Sequence, residues 1–497
     1  MKLWHDLLAA QASARPEAAG FSDSLGNRWT YGDLAQAAAE LSQVMRETGV
    51  KSGDRVMVLA ENCCAVVAAL MAVSQTGAVA VPVNARMSPK EIDRILEHAR
   101  PALVLISTQV EGQTRAHAQR LGAKEISGSY GGMHMAAPYP SSADAPDQVA
   151  VLLYTTGTTG APKGVMLTHA NLLFGGKTSA ELRDMVPGDV IYGVLPMTHV
   201  FGLASVMTAA LYAGAEVWLE ARFSAQNLYE ALRRGVTRLA AVPQMHAVVM
   251  QFAKEQGLER LDSSVLQYVS SGAAPLDPDW KRRAEAFYGV ALQNGYGMTE
   301  ATAGVCATKN SSPGDPDVSV GPPLPGVEVR IDEGVAGGGG GLGEVLIRGG
   351  NVMLGYYRNP EETQKVLDGE GWLRSGDLGR LDAQGLLHIE GRSKELIIHG
   401  GFNVFPPEVE AALNAHPQVV QSAVVGRRTK GDEEVLAFVQ FAKGDQPEVA
   451  ELMQFVRAAL AGYKCPSQIV LTEILPAAPT GKILKHKLLD QFAQQLL

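Results

Sequence analysis

The sequence predicts an α/β protein. It has a large N-terminal domain of layered α/β sheets, a small β-barrel-like subdomain, and a small mobile C-terminal α+β domain. Three observations predict this. Apolar, β-prone runs alternate with helical patterns up to about residue 305, which implies parallel sheet layers. After residue 318 the pattern changes to short paired strands around glycine-rich turns. The last hundred or so residues carry a βααβ-like pattern of their own. With 497 residues, 46% of them hydrophobic, the chain can bury more than one core. The expected units are residues 1–391 and 395–497, with the domain boundary near 392–394.

Taken in order, residues 1–50 read as an amphipathic helix, a short hairpin and a second helix. Thr30 is placed to cap that second helix, with Asp33 at the capping-box position. Gly53 to Leu59 reads as a turn and a buried strand, Ala65 to Val73 as a helix, and Gly77 to Pro82 and Leu103 to Ile106 as strands. Residues 131–148, rich in Gly, Pro and Ser, read as a loop. Val149 to Leu153 is a strand, and Asn171-Leu172-Leu173 opens a helix. Val190 to Val194, Glu216 to Leu219, Leu239 to Val242 and Tyr268 to Ser271 are further strands, with a helix from Leu203 to Tyr212. Glu328 to Ile331 pairs antiparallel with Gly343 to Ile347. Gly337 to Gly341, between them, reads as a hairpin tip, because no threonine, lysine or helix accompanies it.

A net charge of -9 with 19% charged residues argues against a general binder of nucleic acid or membrane surfaces. Cys63, Cys64, Cys306 and Cys465 supply neither a disulfide framework nor zinc-site spacing, and Cys63-Cys64 reads as core. A cytoplasmic setting follows. The N-terminus does not read as a signal peptide, and no apolar run is long enough to span a bilayer.

The chemistry concentrates in Tyr154-Thr155-Thr156-Gly157-Thr158-Thr159-Gly160-Ala161-Pro162-Lys163-Gly164. Glycines let backbone N–H groups approach an anion, threonine hydroxyls donate hydrogen bonds, and the lysine adds a point charge. The stretch follows an apolar strand run, which a flexible surface linker would not. It is not a Walker A loop, since Pro162 and Gly164 around Lys163 disfavour a helix there. A second motif is Asn294-Gly295-Tyr296-Gly297-Met298-Thr299-Glu300. An aromatic ring on tight backbone can stack on a purine, and a carboxylate beside a triphosphate can hold Mg2+. By itself the motif reads equally well as a strand-to-helix turn around a buried tyrosine.

The first stretch resembles the signature of the adenylate-forming enzymes, which include acyl-CoA synthetases, aryl-CoA ligases, luciferases and peptide-synthetase adenylation domains. Thr156 stands where that signature usually has serine, and it keeps the hydroxyl. The resemblance covers nearly the whole chain in order. It implies that Thr155, Thr156, Gly157, Thr158, Thr159, Gly160 and Lys163 hold the phosphates of ATP. It further implies that Gly272, Ala273 and Ala274 line one face of the adenine and Tyr296 stacks on it. Asn294 is then near the amino edge, with Gly295 and Gly297 on either side of the ring. Thr299 touches the α-phosphate, Glu300 and Thr155 face the magnesium, Asp377 holds the ribose, and Arg392 assists at ribose and phosphates. Lys482, in Pro479-Thr480-Gly481-Lys482, bridges the carboxylate and the α-phosphate during adenylation. Lys394 is the hinge, and Gly400, Gly401 and Phe402 line the CoA channel. His199 is the gate between ATP site and acyl pocket and is counted with Lys482 and Lys163 as catalytic.

By the same resemblance Val200, Phe201, Gln244 and Gly297 form the acyl pocket, with Val242 to His246 as one wall. Met197-Thr198 offers no acid to pair with a substrate ammonium, which disfavours amino acids. No arginine is evident to pair with a second carboxylate, which weighs against malonate. The reading is therefore an AMP-forming acyl-CoA ligase for a fatty or aryl monocarboxylic acid, using ATP, Mg2+ and CoA as co-substrate. Two alternatives stay open: an enzyme loading a separate carrier-protein thiol, and a non-catalytic nucleotide sensor. The chain ends at Leu497 with no carrier segment in view, which favours CoA. Glu300, Lys163 and Lys482 are all retained, which favours an enzyme. Acetylation at Lys482 and a homodimer are further expectations. No nucleic acid or transmembrane segment is among the expected partners.

Overall fold

Alternating apolar strands and helices build a two-sheet framework. The structure, a computed structural model, describes residues 2–110, 112–156, 162–263, 265–272, 276–400, 402–429, 432–442, 444–478 and 483–496, with the main chain alone for Thr156. Among these residues two sheets have eight strands each. The first runs in the order Cys306–Ala307, Leu292–Tyr296, Tyr268–Gly272, Arg238–Ala241, Val190–Gly193, Glu216–Leu219, Ala19–Asp23 and Arg28–Thr30. It is parallel except at its two ends. The second runs Gly355–Tyr356, Pro162–Thr168, Val149–Thr156, Val79–Asn84, Arg55–Ala60, Leu103–Ile106, Gly131–Ala136 and Lys124–Gly128.

The two sheets share one apolar core. Helix Cys64–Gln75 is buried from Cys64 through Ser74, as expected of a helix apolar on all sides. Cys63 and Cys64 are both fully buried, in line with the sequence reading. The second helix carries the expected capping box: Thr30 Oγ1 accepts from Asp33 N, and the Asp33 carboxylate accepts from Thr30 N.

Two smaller units follow. Val327–Asp332, Gly343–Gly349, Leu373–Leu381 and Leu387–Arg392 form a four-stranded antiparallel sheet. Gly337 to Gly341 lies at the turn between the first two of these strands, as the sequence indicates. The expected hinge falls where Leu387–Arg392 ends and a 3-10 turn, Ser393–Glu395, begins.

The C-terminal part differs from the βααβ-like expectation. A hairpin, Ile397–His399 with Phe402–Val404, comes first. Helix Pro406–Asn414 follows, then strands Val419–Arg428 and Glu433–Phe441, helix Val449–Ala459, and strand Gln468–Thr472. The last strand runs parallel to Glu433–Phe441, and these three strands and two helices enclose a separate core. The two long apolar strands pair directly with each other, so no helix separates them.

Residues 131–148 also differ from expectation. Gly131 takes φ +82°, and Gly131–Ala136 returns as a strand against Lys124–Gly128 with Met133 fully buried. The loop proper is confined to the remainder.

The helix expected from Leu203 to Tyr212 begins instead as a π-helix, Phe201–Thr208, and continues as the α-helix Ala209–Ala213. Thr208 supports the wider turn. Its Oγ1 donates to Leu203 O, five residues back, at 2.8 Å. It also accepts from Trp4 Nε1 at 3.0 Å. Helix His169–Leu182 approaches the same spot so closely that a Cβ on Gly176 would lie 2.6 Å from Thr208 Cγ2. A π-helical stretch commonly marks a functional site, and this one starts at Phe201.

Replacing Thr208 with valine removes both bonds and leaves the Trp4 indole N–H buried and unpaired. We expect a loss of about 1–3 kcal/mol, read as a lower denaturant midpoint with an altered tryptophan emission. Two histidines add a pH dependence. His169 accepts from Trp4 N at 3.1 Å, and burial lowers its pKa to about 4. His246 bonds the Tyr288 hydroxyl and Ser270 O, and burial lowers its pKa to about 4 as well. The unfolded chain takes up these protons near its ordinary value of about 6.5, whereas the folded chain does not. Stability is therefore expected to fall as pH drops from about 6.5 towards about 4, with urea midpoints at pH 7.5 and pH 5 as the check.

Candidate active site

Two paired strands flank the threonine-rich stretch. Val149–Thr156 leads in and Pro162–Thr168 leads out, in antiparallel register with Thr155 opposite Lys163. Pro162 and Gly164 thus favour strand at Lys163, in agreement with the exclusion of a Walker A helix. The lead-out strand ends at Thr168, whose side chain caps helix His169–Leu182. Gly157, Thr158, Thr159 and Gly160 lie outside the described residues, as do Ala273, Ala274, Gly401 and Lys482, and so does the side chain of Thr156.

Lys163 has two partners inside the protein. Its ammonium pairs with Glu362 and lies 5.0 Å from the centroid of the Tyr356 ring. The pairing with Lys163 and Lys365 holds the Glu362 carboxyl down at about 2. The Tyr356 hydroxyl in turn donates to Glu300 Oε1 at 2.9 Å. Met353 N donates to Glu300 O at 2.9 Å, which ties the turn Thr299–Ala301 to the same segment. Lys163 and Glu300, far apart in sequence, therefore share one tyrosine between them.

Glu300 is half-buried and presents carboxylate oxygen, the hard donor that Mg2+ prefers. Mg2+ is commonly held by one or two carboxylates together with substrate phosphates. Among the described residues no cluster of three or more His, Cys, Asp or Glu competes as a metal site. The donor present fits that ion.

The second motif forms strand Leu292–Tyr296 and the turn after it. Gly295 sits opposite Gly272 on the neighbouring parallel strand. A Cβ on Gly297 would fall 1.2 Å from Ala303 O, so only glycine fits there. Tyr296 donates to Asp377 Oδ2 at 2.6 Å, and Arg392 Nε donates to Asp377 Oδ1 at 3.1 Å. Burial, then the Asp377 charge, raises the Tyr296 pKa well above its ordinary value, so the phenol stays protonated as a donor. Asp377 and Arg392 face each other across strands Leu373–Leu381 and Leu387–Arg392. Thr299, in the turn after Tyr296, is buried. Asn294 is 2% exposed, and its amide donates to Ser319 O at 2.9 Å. That side chain is committed to holding main chain.

On the acyl side, Phe201 packs over Gly272, with its Cε1 3.3 Å from where a Cβ would stand. Val200 is buried, Gln244 half-buried, and His199 is exposed, its Nδ1 accepting from Phe201 N at 3.3 Å. His246, expected as part of a pocket wall, is fully buried and bonded to Tyr288 and Ser270, so it is structural. The reason is the inward face of helix Pro243–Glu255, on which Met245, His246 and Val249 are buried.

The structure adds a feature that sequence reading missed. A cavity of about 270 Å³ adjoins Thr198 and Met245 and is bordered by Glu61, Arg86 and Arg222. Glu61 is nearly buried and takes Arg222 through two bonds, at 2.9 and 2.8 Å, with Arg86 Nε 4.0 Å away. Sequence reading found no arginine placed to pair with a second carboxylate; at this cavity two arginines, 136 positions apart in the chain (222 − 86), are both directed at Glu61. Tyr356 and Glu362 were missed as well; their only sequence signal was a tyrosine and a glutamate flanking Asn359-Pro360, a helix start.

Elsewhere Gly400 takes φ +58° and donates to Asp432 at 2.9 Å. Phe402 is 56% exposed and stacks on Tyr463 with centroids 4.6 Å apart. Lys394 lies exposed in the turn Ser393–Glu395. Among the described residues no helix is long and apolar enough to cross a membrane.

Comparison with known proteins identifies the family. The family described as AMP-binding enzyme matches residues 8–357, and the AMP-binding enzyme C-terminal domain matches residues 408–482. A feruloyl-CoA synthase from Amycolatopsis sp is 35% identical over 474 residues, spanning 94% of each chain. A sulfoacetate–CoA ligase from Cupriavidus necator is 32% identical over 501 residues, spanning 97% of each. The crystal structure of ATP-bound MatB from Rhodopseudomonas palustris superposes with a TM-score of 0.84 at 29% identity, covering 98% of this chain and 99% of that one. The chain therefore belongs to the AMP-binding, adenylate-forming enzyme family, and it is an acid–thiol ligase that works with ATP, Mg2+ and CoA.

Proposed function

We propose that this ligase activates a fatty or aryl monocarboxylic acid. A carboxylate oxygen attacks the α-phosphorus of ATP, and pyrophosphate leaves. The CoA thiolate then attacks the acyl carbon, and AMP leaves. The adenylate step turns a poor electrophile into one with a good leaving group.

The observation that carries the reading is that the motif at residues 294–300 is tied at Glu300, through Tyr356, to Lys163 and at Tyr296 to Asp377, which joins three segments far apart in sequence. In the proposed roles Lys163 and the hairpin threonines hold phosphates, Tyr296 stacks on the adenine, and Asp377, backed by Arg392, takes the ribose hydroxyls. Gly272 and Gly295 leave the flat space a purine needs. Magnesium held at Glu300, with Thr155 nearby in the proposed set, would draw charge from the phosphates. Lys482 supplies positive charge to the adenylation step. Residues 392–394 act as the hinge about Lys394 between residues 1–391 and 395–497, and Gly400, Gly401 and Phe402 border the thiol channel.

Apolar contact at Phe201 and Val200 supports an acid with an apolar or aryl body. The relative that acts on feruloyl groups agrees with it. The Arg86–Glu61–Arg222 cavity sets the test, because a sulfoacetate relative is equally similar in extent. Purified protein supplied with ATP, Mg2+ and CoA should release AMP with hydroxycinnamic, benzoic or medium-chain fatty acids. Release only with acids bearing a second anionic group, such as sulfoacetate or malonate, would overturn the substrate reading.

Lys482→Ala is expected to slow adenylation by roughly 100- to 1000-fold, the loss of one electrostatic donor at about 3–4 kcal/mol. Thioester formation from a supplied acyl-adenylate should persist. Pyrophosphate exchange and single-turnover thiolation separate the two half-reactions.

A further inference from the structure

We propose that Tyr356 is a positioning residue with two working ends, fixing the Glu300 carboxylate and the Lys163 ammonium relative to each other. The inference rests on the reading of both as groups of the nucleotide site. The phenol end donates to Glu300 Oε1 at 2.9 Å, and the face of the ring lies 5.0 Å from Lys163 Nζ.

Tyr356 itself has little freedom. It is 7% exposed and sits opposite Val165 in the antiparallel pair with Pro162–Thr168. Its neighbours close that pairing: Leu354 N donates to Met166 O at 3.0 Å and Tyr357 N to Gly164 O at 2.8 Å. Its own N–H donates to Thr363 Oγ1 at 2.9 Å, in the helix that also delivers Glu362 to Lys163. A tyrosine whose main chain is held by three hydrogen bonds to strand and helix, and whose ring is buried, is a fixed spacer. A bond to one carboxylate oxygen stops rotation of the Glu300 head group, and a cation over a ring face is drawn towards it and away from free rotation.

The two ends can be removed one at a time. Tyr356→Phe keeps the ring and removes the hydroxyl; Tyr356→Leu removes both. With Tyr356→Phe, the Mg2+ concentration for half-maximal pyrophosphate exchange should rise at least about threefold and the exchange rate should fall about tenfold, the scale of a hydrogen bond to a charged group. ATP affinity measured calorimetrically in EDTA should be unchanged. With Tyr356→Leu, that metal-free affinity should also weaken, by about threefold, the scale of a cation–ring contact. A Tyr356→Phe enzyme with unaltered Mg2+ dependence, or Phe and Leu variants of equal ATP affinity in EDTA, overturns the proposal.

Glu300→Gln is the control for the underlying reading. If it leaves the Mg2+ dependence unaltered, Glu300 is not the metal group and that reading fails. If Glu300→Gln shifts it and Tyr356→Phe does not, only the positioning role fails. Should the Leu variant melt early, Lys163→Met supplies the same arm, since its EDTA affinity bounds the loss that the missing ring can cause.

Discussion

The pairing of Gly355–Tyr356 with the strand that leaves the threonine turn is the constraint on which the site depends. It sets Tyr356 opposite Val165 and brings the ring alongside Lys163. Only a few residues later Asn359 caps, and Pro360 begins, the helix that carries Glu362. Met353, just before the pair, holds the main chain of Glu300. One short ladder thus assembles a cation, an aromatic ring and two carboxylates. A slip of one residue would turn the tyrosine to the opposite face of the strand and lose both of its contacts at once.

A second ladder does the same on the other side of the site. The register of Leu373–Leu381 against Leu387–Arg392 places Asp377 opposite Arg392. The Tyr296 hydroxyl then joins the four-stranded sheet to strand Leu292–Tyr296, which carries Gly295. The stacking residue proposed for the base and the carboxylate proposed for the sugar are therefore bonded to each other. The last position of that ladder borders the turn that holds Lys394, so the proposed hinge begins where a site residue ends.

What sequence could convey follows the range of the forces involved. The capping box of Thr30 and Asp33, the buried helix from Cys64, and the strand that leads into the threonines all rest on neighbours a few residues apart, and all are legible. The π-helix at Phe201 is not, because it depends on Trp4 bonding Thr208 across 204 positions. His246 looked like a pocket wall because it shares a strand-end motif with Gln244, yet two residues further along the helix it faces inward. The cavity pair Arg86 and Arg222 is invisible for a related reason: Glu61 joins them, and all three come from different strand ends. Tyr356 and Glu362 carry no motif chemistry of their own and gain meaning only through the ladder that brings them to Lys163.

Every proposed nucleotide contact with a described side-chain charge already has a partner in the protein. Lys163 has Glu362, Glu300 has the Tyr356 hydroxyl, and Asp377 has Tyr296 and Arg392. Binding at such groups exchanges one polar contact for another, and the net gain per hydrogen bond is small, about 0.5–1.5 kcal/mol. Affinity on this reading has to come from base stacking and from the fact that the groups are already in place. The internal partners hold them there. Asp377 is 5% exposed, and the Arg392 and Tyr296 donors replace the hydration that a carboxylate loses at that depth. Removing a partner therefore does more than delete a contact: it leaves a buried charge uncompensated and changes the group that the ribose is meant to meet. The resting pairs are part of the binding site because they hold its charged groups in place.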